Sequence, residues 1–97
     1  MNKTIISKKA QTEIENALFW YENASEIIAD RFIVELNNKL LELNTYPKRY
    51  SEKIPPYREV ALKKFPFSIV YKYSPQKKIV LIISIFHFKR NPLKKYK

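Results

Sequence analysis

Ninety-seven residues, 45% apolar and with neither cysteine nor glycine, fit one domain with one core. They leave no place for disulfides, thiolate metal sites or a glycine-rich phosphate cradle, and the lone His87 excludes a cluster of imidazole ligands. Net charge is +10 and uneven: residues 1–50 hold seven Lys/Arg and seven Asp/Glu, whereas residues 51–97 hold twelve Lys/Arg against Glu52 and Glu59 alone.

Such an excess suits an anionic partner, whether nucleic acid, a ribonucleoprotein or an acidic protein; the plainer alternative is a solvated basic surface. Residues 2–6 are short and mixed, and predict a strand that joins the later sheet. No apolar stretch of a secretion signal follows Met1, and the longest apolar run, Ile79 to Phe86, falls far short of the ~20 residues that span a bilayer. With no cysteine in the chain, a cytoplasmic location without membrane contact is expected.

Ser7 is placed to cap a helix. Over residues 8–22, Ala10, Ile14, Ala17, Leu18 and Tyr21 recur at helical spacing, Phe19 and Trp20 broaden the stripe, and Glu13 and Glu15 are expected to face outward. Residues 23–26 break the pattern, and a second helix runs from Ile27 to about Asn44 with Ile28, Phe32, Leu36, Leu40 and Leu43 on one side. Tyr46-Pro47 ends it. The short break predicts an antiparallel hairpin over about residues 8–46, lying on a sheet. Residues 47–56 read as a basic loop stiffened by prolines.

Strands follow at 58–62, 67–73 and 79–88, with turns at 63–66 and 74–78. In the second, Phe67, Ile69, Tyr71 and Tyr73 alternate with Ser68, Val70 and Lys72. Short connections make neighbours antiparallel. The expected fold is therefore α+β: an N-terminal strand, a two-helix hairpin, and a three-stranded antiparallel sheet over about residues 57–90, ending in a basic tail at 91–97.

A chain of this size is expected to work through its surface. The last strand delivers His87, Lys89, Arg90 and Asn91 to one edge. The candidate anion-binding set is Arg58, Lys63, Lys64, Lys89, Arg90, Lys94 and Lys95. His87 has two readings: a general acid or base, since imidazole titrates near neutrality, or an anchor of the strand end bonded to a loop carbonyl. Arg90 also has two, a forked grip on phosphate or carboxylate and an internal salt bridge to Glu59 or Glu52. No metal or small-molecule cofactor is expected.

Six segments in order carry a family resemblance: Ala10…Ile14…Trp20-Tyr21-Glu22; Phe32…Leu36; Pro47 and Tyr50; Arg58-Glu59-Val60-Ala61-Leu62; Phe65-Pro66-Phe67-Ser68-Ile69-Val70-Tyr71; and Ile85-Phe86-His87-Phe88-Lys89-Arg90-Asn91-Pro92. Over nearly its whole length the chain resembles the RelE/ParE superfamily of type II toxins. That resemblance implies a toxin neutralised by a cognate acidic antitoxin, whose segments would contact the hairpin groove and an open sheet edge. RelE-like members cut messenger RNA on the ribosome and place two lysines on the first strand after the hairpin, where this chain has Glu59 and Ala61. They place an arginine early in the next strand, where it has Ser68. Lys89 and Arg90 partly match their final basic cluster, and Tyr96 matches a C-terminal tyrosine only with a shift of register. The resemblance thus favours the ParE-like, plasmid-stabilisation branch, which binds DNA gyrase without catalytic residues of its own. The alternatives are a ribosome-dependent mRNA endoribonuclease with His87 and Arg90 as catalytic residues, and a non-toxic member that binds nucleic acid or protein.

Overall fold

The computed structural model describes residues 1–89. The expectations for Arg90, Lys94, Lys95, Tyr96 and the tail at 91–97 lie outside the described residues. Strand β1 (Lys3–Ile6) leads into helix α1 (Lys8–Ala24) and helix α2 (Glu26–Thr45). Ser7 starts α1 as expected: its Oγ accepts from Ala10 N at 3.0 Å. Ser25 makes the bend, its N–H donating back to Tyr21 O at 2.8 Å while its Oγ accepts from Ile28 N at 3.4 Å. One residue closes the first helix and opens the second.

Strands β2 (Glu52–Ile54), β3 (Tyr57–Ala61), β4 (Phe67–Ser74) and β5 (Ile79–His87) complete a five-stranded sheet in the order β1-β5-β4-β3-β2. It is mixed, with β1 parallel to β5 and the remaining pairs antiparallel. The expected three-stranded antiparallel sheet is therefore its centre and not the whole. The hairpin carries the chain from β1 at one edge of the sheet to β2 at the other, and the antiparallel run from β2 to β5 brings it back alongside β1. β2 falls in the stretch read as loop: its three residues are all exposed and carry no alternation.

Phe67, Ile69 and Tyr71 of β4 face the helices, joining Phe32, Leu36 and Leu43 of α2 and Ala10 and Ala17 of α1 in one core. β5 reaches the same core from both halves because of a bulge. Val70 pairs with Ser84 and Tyr71 with Ile82, leaving Ile83 unmatched. Before it the even positions Val80 and Ile82 join the core, and after it the odd position Ile85 does. Rings close the end near the helix bend: Tyr21 lies 5.1 Å from Phe65, and Phe32 lies 5.5 Å from Phe67.

β1 pairs with β5 only as far as Ile82. Beyond that point α1 covers the edge. Ser7 N donates to Ile82 O at 2.9 Å and Ser7 Oγ donates to Ile83 O at 2.8 Å. The Glu13 carboxylate then accepts from Ile85 N and from Ser84 Oγ, each at 2.9 Å. Glu13 thus turns inward, against expectation, because strand groups without a strand partner need an acceptor.

Candidate functional site

Sheet register divides the candidate cations. The β3–β4 turn and the end of β5 share one end of the molecule: Phe67 pairs with His87, and Phe88 N donates to Pro66 O at 3.1 Å. Lys63, Lys64 and Lys89 are brought together there, all exposed. The Glu35 carboxylate on α2 holds the turn, accepting from the backbone N–H groups of Lys63 and Lys64, the latter at 3.2 Å. Glu35 therefore fixes the turn while both ammonium groups sit on exposed side chains.

Arg58 is not part of this group. It pairs with Tyr71 on the helix-facing side of β3 and is half-buried. Its guanidinium donates to Tyr50 O at 2.6 Å and lies 3.9 Å from Glu52. These contacts fasten the loop after α2. His87 packs edge-on against Phe67, ring centres 5.2 Å apart, and its Nδ1 accepts from Lys89 N at 3.3 Å. This bond to a backbone N–H anchors the ring at the strand end. Glu59 pairs with Val70, Ala61 is exposed and Ser68 is buried.

An open groove of about 850 Å³ lies beside α2, with Ile27, Ile28, Val34 and Phe65 among its apolar walls and Asp30, Arg31, Lys63 and Lys64 around them. Ile27, Val34 and Leu41 are 65%, 59% and 66% exposed. Their spacing of seven puts them on one strip of the helix. This strip is visible in the sequence, but the stronger stripe from Phe32 to Leu43 draws attention away from it.

At the far end of the groove, the loop after α2 is held by a charged cluster. Glu42 accepts from Lys39 Nζ at 2.9 Å, Tyr50 Oη at 2.7 Å and an Arg49 nitrogen at 3.0 Å. The Lys39 and Tyr50 bonds hold its carboxyl down at about 2. Burial alone would lower Lys39, but its bonds to Glu42 and Tyr50 outweigh that and raise it. Below them Tyr71, pushed up to about 12 by burial, donates to Pro47 O at 2.8 Å. This is holding chemistry: every charge in the cluster has its partner.

Among the described residues no group of His, Asp or Glu can hold a metal ion, and no helix is long and apolar enough to cross a membrane. A family model described as the ParE toxin of the type II toxin–antitoxin system parDE matches residues 4–92. The chain belongs to the ParE toxin family. Among solved structures it is similar to a chain from the chromosomal ParDE toxin–antitoxin system of P. aeruginosa, with a TM-score of 0.75 and 16% identity. That match covers 90% of this chain and 96% of the other, a likeness of fold. No curated protein sequence matches significantly. For this ParE-family chain the matched span runs from β1 through the end of β5, so every surface described above lies within the family domain.

Proposed function

We propose that this ParE-family chain is the toxin of a type II pair, arresting growth by binding DNA gyrase until an acidic antitoxin covers it. The observation that carries the reading is the family match over residues 4–92. The strand positions support it: Glu59, Ala61 and Ser68 stand where RelE-like nucleases have cations, and His87 is bonded to the backbone at the strand end. The antitoxin's seat in this reading is the groove beside α2. An amphipathic segment would lay its apolar side on Ile27, Val34 and Leu41 while its acidic residues meet Arg31, Lys63 and Lys64.

Expression without the antitoxin tests the target. DNA synthesis should stop before protein synthesis, and the purified chain should trap or stall gyrase on supercoiled plasmid. His87→Ala should retain activity within about tenfold. A halt of translation first, with cut messages and a loss of about 10² or more in His87→Ala, would assign a ribonuclease instead.

A further inference from the structure

The described charge is balanced at one end of the molecule and unbalanced at the other. Near the helix bend, Arg31, Lys63, Lys64 and Lys89 share their end with Glu22, Glu26, Asp30 and Glu35. The opposite end is built from the start of β1, the last turn of α2 with the loop after it, and the β4–β5 turn. It carries Lys3, Lys48, Arg49, Lys77 and Lys78. Among the described residues of those segments the carboxylates are Glu42, already held by Lys39, Tyr50 and Arg49, and Glu52 where the loop enters β2, 3.9 Å from the Arg58 guanidinium. The negative end of the α2 dipole offsets a fraction of one charge, so at least three lysines there remain without a counter-charge.

These segments are joined firmly. Lys3 N donates to Lys78 O at 2.8 Å, and Tyr73 Oη donates to Asn2 Oδ1 at 3.1 Å. Asn2 Nδ2 donates to Asn44 O at 2.8 Å, and Asn44 Nδ2 returns a bond to Asn2 O at 2.9 Å. Between them opens a cleft of about 540 Å³, lined by Tyr46, Lys48, Arg49, Tyr73 and Pro75. Tyr46 is 54% exposed as a residue, and the Arg49 guanidinium lies over one side of its ring, 4.4 Å from the centre. No residue lines both this cleft and the groove beside α2.

We propose that this end of the molecule binds single-stranded nucleic acid. Lys3, Lys48, Lys77 and Lys78 meet successive phosphates, and a base enters the cleft to stack on Tyr46. Cations alone would suit any polyanion. The tyrosine with an arginine over it, at a cleft among lysines, distinguishes the ligand, because a single strand offers an unpaired flat base beside every phosphate. A duplex keeps its bases stacked within, and a polyglutamate chain has no such face. The surface is separate from the groove proposed for the antitoxin, so the assignment stands whether or not gyrase is the target.

The test is fluorescence anisotropy of the purified chain with labelled oligothymidylate of about 15 nucleotides, within the usual site range. A duplex of equal length and a polyglutamate peptide of equal charge serve as comparators. The single strand should bind at least about tenfold more tightly than either, with affinity falling steadily as salt rises. Lys77→Glu with Lys78→Glu should weaken it about tenfold or more, since two of the phosphate contacts become repulsive. Tyr46→Leu should weaken it about fivefold or more and Tyr46→Phe should not, stacking being worth ~1–3 kcal/mol per base. Circular dichroism and melting should show all variants folded; if the glutamate pair melts early, Lys77→Gln with Lys78→Gln carries the same test. Equal binding of duplex or polyglutamate, or unchanged binding in folded Lys77/Lys78 and Tyr46→Leu variants, would overturn the proposal.

Discussion

Glu42 shows at residue scale how a charge is spent inside the fold. Its carboxyl titrates at about 2 rather than 4.5, chiefly because Lys39 and Tyr50 donate to it. A folded-state value below the unfolded one means that the ionised form stabilises the fold above about pH 4.5, and that this stability is lost as pH falls toward 2. Its side chain is 22% exposed, so solvent weakens the effect somewhat, and roughly 1–3 kcal/mol is expected. Glu42→Gln should therefore lower unfolding stability at pH 6 by about that amount, and urea titrations should show the gap to the parent closing by pH 2. A gap that persists at pH 2 would mean that packing, not charge, is what the substitution removes. Tyr71 works with the opposite sign. Burial raises it to about 12, so the neutral hydroxyl is favoured and its stabilisation holds below pH 10 and is lost through 12. Tyr71→Phe leaves the buried Pro47 carbonyl without its 2.8 Å donor and should cost about 1–2 kcal/mol in the same titration at neutral pH.

At the scale of elements, the weak place is the edge of β5 beyond Ile82, where β1 stops. Glu13 satisfies it with one carboxylate that accepts from Ile85 N and Ser84 Oγ. Glu13→Ala should cost about 1–3 kcal/mol, the scale of a part-buried donor left unpaired, and should speed hydrogen exchange at the Ile85 amide. Glu13→Gln keeps an acceptor oxygen and should recover most of both; equal losses in the two variants would sink this account. The same edge shows what local pattern does and does not reveal. Both helices are legible because apolar recurrence at three and four residues persists over four turns or more. β3, β4 and β5 are legible as β-branched and aromatic runs between turns. β2 is not, since three exposed residues before two prolines carry no alternation. Nor is the bulge at Ile83: the run from Ile79 to Phe86 is apolar at nearly every position, so nothing marks where its parity changes. Glu13 looks like a surface residue because the groups it serves lie more than seventy positions away.

For the whole molecule, the order of turns decides where charge goes. Successive turns of an antiparallel sheet alternate ends, and an eight-residue β4 separates Lys63 and Lys64 from Lys77 and Lys78 by about 25 Å. Among the described residues the cations of the second half therefore do not form one basic face, and Arg58 is taken by the Tyr50 carbonyl. What composition states correctly is the sum, +10, which acts over long range however it is divided. In the proposed complex, that long-range charge and the contacts in the groove govern different steps. Attraction of an acidic antitoxin speeds encounter, while Ile27, Val34 and Leu41, once covered, decide how long it stays. Raising salt from about 50 to about 500 mM shrinks the screening length to a few ångströms and should slow association about tenfold or more, with dissociation changed less than about threefold. Val34→Glu should do the reverse, raising dissociation about tenfold or more by placing a charge against an apolar partner while leaving association nearly intact. Stopped-flow association and dissociation rates separate the two. If salt acts mainly on dissociation and Val34→Glu mainly on association, the antitoxin is held by charge and the apolar strip beside α2 is not its seat.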